Sequence, residues 1–475
     1  MSEFWTDMLV VVLRCVFSVA FVMNIVPLMI WGERKGAAYI QDRPGPNRAP
    51  IDIPNPLDLP RLLSAALSGG KLEFKPLVSL RAAGLIHTLT DVVKLAFKED
   101  ITPDHVEKAY WFIAPVIAMS IALCTFAVVP FGDTFLGYDL QVSTLDGGLL
   151  YVLAMTSLGV YGIMLAGWAS NNKFSLLGGL RSSAQMVSYE LAMGLSAVVV
   201  FLNAGSVSLA EITRQQGEAL SVLGLFEIPA LNWNVFSPFG LLAFILFWVA
   251  VFAETNRTPF DLPEGEAELV GGYHTEYSSF RFALFFMAEY ANMIVASAVT
   301  ATMFFGGYNI PLLSASFLRE NADMVLAAVG FGAVPAFLTF AVVAWKRRGR
   351  PFYAAIPSDD PRRNEPAFFT AVWLGAAAAH GGLGVAGLMG GLTGLSDLAG
   401  VAGLGPDLLV FVLHVTSLAV KVLIGGWIFI WVRWTLPRMR YDQLMNLGWK
   451  VMLPIALGNV FCAAGWIILR HELFA

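Results

Sequence analysis

Five carboxylates and one arginine lie within 15 residues of one another, in a loop between two apolar segments. The stretch FAETNRTPFDLPEGEAELV, residues 252–270, contains all six. They are Glu254, Arg257, Asp261, Glu264, Glu266 and Glu268. Like charges that are partly removed from water raise one another's carboxyl pKa, so that protonation responds to any nearby change in charge. The spacing therefore predicts a proton-coupled switch and not a solvated charged face.

The elements that position this loop are predicted to be membrane-spanning helices. Of the 475 residues, 57% are hydrophobic and 14% are charged, which is outside the range of ordinary soluble domains. A helix needs about 20 mostly apolar residues to cross ~30 Å of hydrocarbon. By that measure the fold class is an all-α polytopic membrane protein with about ten spans. The predicted spans cover residues 8–31, 111–131, 149–168, 185–204, 236–253, 281–306, 323–345, 367–392, 407–432 and 450–469.

The predicted orientation follows from the basic residues, because lysine and arginine in short loops stay on the cytoplasmic side during insertion. With both termini outside, the inner loops carry 25 of the 30 basic residues. The carboxylate-rich loop then faces the cytoplasm or its equivalent. Residues 77–99 combine apolar and charged side chains, which predicts an amphipathic helix along the membrane interface.

Four ionisable residues stand out within the predicted spans, where a charge near the centre costs about 2.5–3.5 kcal/mol and is by default a functional hypothesis. Arg14 is near the outer end of its span, so its long side chain can reach the interface. Glu190, Glu289 and Lys421 lie too deep for that. Two interpretations stay open for these three residues: proton or ion handling, or a structural ion pair.

The sequence carries no signal for a redox cofactor or a metal site. Cys15, Cys124 and Cys462 lie in separate apolar runs, which excludes the spacings of iron–sulfur and zinc sites. The six histidines are equally scattered. No catalytic residue, metal ligand or bound cofactor is therefore predicted in this chain.

Five blocks of sequence carry a family resemblance. They read ERKGAAYIQDRPGPNR, DVVKLAFKEDITP, LLGGLRSSAQMVSYELAMGLS, AETNRTPFDLPEGEAELVGGYHTEYSSFRFALFFMAEYANM and FIWVRWTLPRMRYDQLMNLGWK. In this order they resemble the H-type membrane subunit of respiratory complex I (NADH:quinone oxidoreductase), known as subunit 1 of NADH dehydrogenase in mitochondria. The resemblance implies eight core spans and an interfacial helix, which form most of a quinone tunnel at the junction of the redox arm and the proton-pumping membrane arm.

The resemblance also implies roles for two sets of residues. Those expected to line or gate the quinone tunnel are Glu33, Arg34, Arg43, Asp91, Arg257, Asp261, Glu264, Glu266 and Glu268. Those expected to carry protons or coupled charge shifts toward the membrane arm are Glu190, Glu254, Glu276, Glu289 and Lys421. Lys35, beside Arg34, is interpreted as a basic anchor at the inner surface.

The resemblance implies cofactors and partners outside this chain. Quinone, either ubiquinone or menaquinone, is the expected substrate, while FMN and the iron–sulfur clusters are expected in partner subunits. The expected partners are the quinone-site and iron–sulfur subunits of the peripheral arm, the small membrane subunits beside the antiporter-like arm, and the lipid bilayer, with no nucleic acid. The expected location is the energy-transducing cell inner membrane.

The chain departs from the family pattern in three places. Residues 51–80 look inserted before the interfacial helix, and His87 stands where the family usually has Gln. Residues 310–405 add two spans, which divides the core into residues 1–309 and 406–475. Small residues in the second added span let helices approach closely, so we expect this hairpin to dock on the lipid-facing edge of the core or against another subunit.

Two other functions are compatible with some of these features. A membrane subunit of an energy-converting hydrogenase or formate hydrogenlyase would carry similar carboxylates without using quinone. The GPN-containing loop and the complete AETNRTPFDLPEGEAELV block favour the quinone enzyme instead. A free-standing proton or cation antiporter would be expected to show an internal repeat, and neither half of the sequence repeats the other.

Overall fold

The structure is a computed structural model that describes residues 2–43, 45–47, 49, 51–54, 76–80, 82–222, 226–265, 270–350, 353, 356, 361–401 and 403–474. It confirms the all-α polytopic membrane fold, since nine helices within these ranges are long and apolar enough to cross a membrane. The helices are α1 (Ser2–Ile40), α2 (Ile86–Phe97), α3 (Lys108–Thr125), α4 (Gly148–Ala169), α5 (Lys173–Ala204), α6 (Leu209–Gln216), α7 (Gly240–Glu254), α8 (Ser279–Phe304), α9 (Ala315–Glu320), α10 (Ala322–Lys346), α11 (Glu365–Leu388), α12 (Gly391–Ala399), α13 (Leu404–Thr435), α14 (Tyr441–Asn446) and α15 (Leu453–Phe474).

Three short antiparallel hairpins accompany the helices. They pair β1 (Ile51–Pro54) with β2 (Pro76–Leu80), β3 (Thr134–Phe135) with β4 (Tyr138–Asp139), and β5 (Leu220–Val222) with β6 (Phe226–Ile228). The first hairpin corrects the predicted interfacial helix, which begins at Ile86 and not at residue 77. Ile51 pairs with Leu80 and Ile53 with Val78, so the β-branched ends of the inserted segment form strands.

The predicted spans differ most from the observed helices at the starts of α1, α5 and α7. α1 begins at Ser2, six residues before the predicted start at 8. α5 begins at Lys173, twelve residues before the predicted start at 185, because the Asn172 side chain caps it by accepting a bond from Phe174 N at 2.9 Å. α7, predicted over 236–253, has 15 residues and is about 22 Å long. It starts late because Phe239 adopts a left-handed conformation with a φ of 66°. The first four residues of the predicted span, 236–239, are therefore not part of the α-helix.

The chain divides into two compact units. The first unit contains Met1–Val26, Lys98–Leu326 and Ala386–Ala475. Its centre is α5, which packs against α4, α7 and α15, while α8 packs against α3 and α13. Aromatic side chains such as Trp111, Tyr189 and Tyr290 are almost completely buried in it. This bundle holds the helices that carry Glu190 and Glu289.

The second unit contains Pro27–Phe97 and Ala327–Val385. It joins the end of α1, the inserted strands and α2 to most of the added hairpin, α10 and α11. The two hairpin helices are in close contact, since a Cβ on Gly330 would lie 2.4 Å from the backbone nitrogen of Gly384. Trp31 of α1 lies 6.2 Å from Phe369 of α11, measured between ring centroids. The hairpin therefore packs on the last turns of α1.

Candidate functional site

An apolar cavity with acidic residues in its lining lies inside the first unit. It is lined by α3, α4, α5, α7 and α8 together with the loop that follows α7, and its volume is about 80 Å³. Most of the lining is aliphatic, but Glu254, Glu264 and Glu289 all reach it, as do Tyr273 and Asn292. The fold thus gathers three of the predicted carboxylates around one enclosed space.

Arg257 forms an ion pair with Glu289, one of the residues that line this cavity. Its Nε lies 2.5 Å from Glu289 Oε1, and its guanidinium carbon lies 4.4 Å from the ring centre of Tyr290. The Arg257 side chain is only 5% exposed. A buried ion pair of this kind holds both charges in place, because loss of either one leaves the other in a medium of low dielectric constant.

Glu254 and Glu190 are neighbouring carboxylates with few hydrogen-bond donors. Glu254 is the last residue of α7, and its Oε2 atom is buried without a hydrogen-bond partner among the described residues. Glu190 accepts a hydrogen bond from the hydroxyl of Ser157 on α4. The two carboxylates are close enough for the charge of one to act on the other. The last residue of α7 and the middle of α5 thus each place a carboxylate inside the bundle.

The loop after α7 contains two further acidic residues with different partners. Asp261 accepts a bond of 2.6 Å from Arg438, yet burial, followed by the charge of Glu264, raises its pKa to about 6. Glu264 lies 3.2 Å from Nε2 of His274. Burial opposes ionisation of Glu264, but the His274 hydrogen bond and charge and the Arg257 charge outweigh it and lower its pKa. The loop therefore contains carboxyl groups whose pKa values are shifted in opposite directions.

The other two residues expected on a proton path lie apart from this cavity. Glu276 accepts a 2.7 Å bond from the side chain of Asn172, the residue that caps α5. Lys421 donates to the carbonyl oxygens of Gly307 and Asn309, at 2.7 and 2.6 Å, beyond the end of α8. About 22 Å of helix separates Glu289 from the end of α8 at Phe304.

The second unit holds four of the residues expected to line or gate the quinone tunnel. Arg34 on α1 forms an ion pair with Asp91 on α2, and both side chains are partly exposed. Glu33 is half-buried on α1, while the exposed Arg43 donates to Gln41 at 2.7 Å. His87 Nε2 accepts from the Ala49 backbone nitrogen at 2.9 Å. Burial lowers the pKa of His87, which suits its role as a neutral acceptor.

The interpretation of Lys35 as a surface anchor is wrong. Its side chain is only 3% exposed, and its Nζ lies 2.6 Å from Glu365 Oε1, the first residue of α11. Sequence reasoning missed both members of this pair. A usable signal was present, because Glu365 follows a strongly basic loop and immediately precedes an apolar run, where a carboxylate at the start of a helix is commonly paired.

Two predicted tunnel residues, Glu266 and Glu268, lie outside the described residues, as does most of the segment 51–80. Their roles therefore stay predictions from the sequence. Within the described ranges, no three His, Cys, Asp or Glu side chains are grouped so as to hold a metal ion.

The sequence matches a family model described as NADH dehydrogenase over residues 13–353 and 366–464. The H-type subunit of NADH-quinone oxidoreductase from Leptospira biflexa is 37% identical over 452 residues, which cover 93% of this chain and 90% of the relative. The corresponding subunit from Flavobacterium psychrophilum is 36% identical, with 95% and 94% covered. NADH-quinone oxidoreductase subunit 8 of Rhodothermus marinus is 37% identical, with 92% and 91% covered.

Proposed function

Because the chain belongs to the NADH dehydrogenase family, we propose that it is the quinone-tunnel and coupling subunit of a proton-pumping NADH:quinone oxidoreductase. It would link quinone reduction in the peripheral arm to proton translocation in the membrane arm. The names of its relatives favour this function over a hydrogenase subunit or an antiporter. The observation that carries the proposal is the cavity, where three carboxylates and Arg257 meet inside a bundle of apolar helices.

Quinone is the proposed substrate, and it would enter from the bilayer past the charged residues at the end of α1. The proposed tunnel residues are Glu33, Arg34, Arg43, Asp91, Arg257, Asp261, Glu264, Glu266 and Glu268. The Arg34–Asp91 ion pair supports a fixed polar rim at this position, since it joins α1 to α2. A polar rim is suited to a quinone head group, which offers two carbonyl acceptors to hydrogen-bond donors.

Protons or coupled charge shifts would pass from the loop after α7 to the carboxylates of the membrane helices. The proposed proton path comprises Glu190, Glu254, Glu276, Glu289 and Lys421. Two features support its first part: the buried Glu254 oxygen has no donor among the described residues, and Glu190 lies close to it. A change of charge on the loop after α7, which contains Arg257, would then alter which of these two carboxylates holds a proton.

The chain would act in a complex, which the names of its relatives support, since each relative is a subunit of an NADH-quinone oxidoreductase. We propose that FMN and iron–sulfur clusters are held by partner subunits of the peripheral arm, and that small membrane subunits adjoin its other side. An energy-transducing inner membrane is the proposed location. Both termini would face outward, which the distribution of basic residues supports.

The test is co-purification combined with quinone labelling. An affinity-tagged chain is isolated from native membranes in mild detergent, and the preparation is assayed for FMN, iron and NADH:quinone activity. A photoreactive quinone is then crosslinked with and without excess unlabelled quinone. We expect competed labels in peptides that contain residues 33–43 or 254–268.

The outcomes separate the candidate functions. A nickel-containing partner with hydrogen evolution would assign the chain to a hydrogenase. A chain that purifies alone and exchanges cations would be an antiporter. Labelling that excess quinone fails to reduce would contradict the tunnel assignment.

A further inference from the structure

Glu365 is held by four donors from three separate segments. Its Oε1 atom lies 2.6 Å from Lys35 Nζ and accepts hydrogen bonds from the hydroxyls of Tyr39 and Tyr353 at 2.9 and 3.2 Å. Its Oε2 atom accepts from Asn47 Nδ2 at 2.8 Å. The Glu365 side chain is completely buried. We call these five residues the Glu365 clasp.

The clasp joins the added hairpin to the first family block. Lys35, Tyr39 and Asn47 belong to ERKGAAYIQDRPGPNR, whereas Glu365 begins α11. The residues that match the family model stop at 353 and resume at 366, so Glu365 lies just outside them. One carboxylate from the unmatched stretch therefore organises donors from the matched one.

The opposite side of the same block is fixed by α2 and the turn before it. Trp31 Nε1 donates to the carbonyl of Ala83 at 3.1 Å. Gly84 has a φ of +92°, and a Cβ there would lie 1.9 Å from the carbonyl oxygen of Pro46. Trp31 and Pro46 thus contact the turn before α2, whereas Lys35, Tyr39 and Asn47 contact the buried Glu365 carboxylate on the hairpin side.

We infer that Glu365 is a positioning residue for quinone entry, acting through Lys35 and Asn47 on the neighbouring Arg34 and Arg43. This inference rests on the proposed function, because Arg34 and Arg43 matter only if they stand at the tunnel mouth. Arg34 adjoins Lys35 in α1, and Asn47 lies four residues after Arg43 in the sequence. The added hairpin is accordingly part of the quinone-entry structure as well as a scaffold for assembly.

The carboxylate charge is the critical feature of the clasp. A glutamine at this position keeps the length and one acceptor oxygen, but it removes the charge that faces Lys35 at 2.6 Å. A buried ammonium that loses its carboxylate draws in water or another acceptor. Lys35 and Tyr39 then shift, and Arg34 shifts with them. An aspartate keeps the charge with a shorter reach and should restore part of the geometry.

The test uses the whole complex in native membranes. Glu365→Gln, Glu365→Asp and Tyr353→Phe are compared with Glu320→Gln, the same chemical change at an exposed carboxylate of the added segment. KM and kcat are measured with a short-chain quinone. NADH oxidation by ferricyanide, which bypasses the quinone site, is measured alongside, and both activities are normalised to the amount of assembled complex, determined as protein in the native-gel band.

We expect Glu365→Gln to raise the quinone KM about tenfold, the effect of a displaced substrate-positioning group, while ferricyanide activity per complex is unchanged. Glu365→Asp and Tyr353→Phe should give smaller increases, and Glu320→Gln none. If Glu365→Gln does not assemble, the two milder variants still decide the result. A wild-type KM in every clasp variant that assembles overturns the inference.

The quinone photoprobe separates this inference from the proposed function. If residues 33–43 are not labelled in the wild-type complex, the proposed entry site itself is wrong. If the wild type is labelled and Glu365→Gln is labelled equally, with an unchanged KM, the entry site stands and only the positioning role of Glu365 fails.

Discussion

Two buried cation–carboxylate pairs lie in different regions of the protein, and they have similar geometry. Arg257 and Glu289 approach to 2.5 Å in the first unit, and Lys35 and Glu365 to 2.6 Å in the second. Their surroundings differ. Glu289 lines a cavity that Glu254 and Glu264 also line, whereas Glu365 accepts bonds from four donors.

The different surroundings of Glu289 and Glu365 indicate that the same kind of buried ion pair has two different roles. At the cavity, three carboxylates lie near the Arg257 guanidinium, so a proton that one of them takes up or releases changes the net charge of the site. In the clasp, donors outnumber the carboxylate, and its geometry is fixed on every side. We therefore expect neutral substitutions at the cavity to impair coupling and those at the clasp to displace substrate.

The largest effect is expected when the cavity loses its cation. Arg257→Met leaves Glu289 buried without the guanidinium at 2.5 Å, which costs about 3–5 kcal/mol when one partner of a buried pair is removed. The amount of assembled complex, measured by a native gel stained for NADH oxidation, should fall severely.

The matched control is Arg438→Met. Arg438 pairs with Asp261 at 2.6 Å, but its side chain is 37% exposed, so its removal should lower the yield of assembled complex less than the loss of Arg257 does. Equal yields for the two variants would mean that burial does not distinguish these pairs.

A smaller but more selective effect is expected at Glu254. Glu254→Gln should assemble normally, because the buried Oε2 atom has no donor to lose among the described residues and an amide fits the same space. Proton translocation per assembled complex should fall at least about tenfold, since an amide cannot take up or release the proton.

The control for Glu254 is Glu218→Gln, which makes the same change at a carboxylate that is 57% exposed. It should pump as the wild type does. Glu254→Gln complexes that are fully assembled and pump normally would remove this residue from the proposed path.

The smallest effect is a change in pH dependence at Asp261. Burial and Glu264 raise its pKa to about 6, above the ordinary value of 3.8. The folded chain therefore binds this proton more tightly than the unfolded chain does, and its stability falls as the pH rises through that window. Quinone reductase activity should show an inflection near pH 6 that Asp261→Asn lacks. An identical profile in both proteins would exclude Asp261 as its source.

The sequence predicts the helices well but not which side chains meet. Nine of the ten apolar runs correspond to helices long enough to cross a membrane, since the bilayer fixes both their length and their composition, whereas the run at 236–253 forms the shorter α7. Arg257 and Glu289 were both identified, yet their pairing depends on how the loop after α7 folds against α8. The start of α5 was misplaced because Lys173 and Arg181 broke the apolar run, while the cap at Asn172 gave the correct local signal.

The Glu365 clasp is the part of the structure that could least be predicted from the sequence. Tyr39 and Glu365 are separated by 326 residues, and no periodicity or spacing relates them. Lys35 alone resembles any basic residue at the inner end of a span. Only the packing of α11 on α1 turns it into a buried partner, and that packing depends on side-chain shape over many residues.

The coupling role of this chain is tested most directly by Glu190→Gln. Glu190 contacts a serine hydroxyl in the bundle and lies near Glu254, so a neutral glutamine keeps the packing but cannot exchange a proton. We predict that the variant assembles with its iron–sulfur partners, loses most proton pumping and NADH:quinone activity when both are normalised to assembled complex, and regains part of each in Glu190→Asp. Wild-type values in Glu190→Gln after that normalisation would contradict the proposed coupling through the membrane carboxylates.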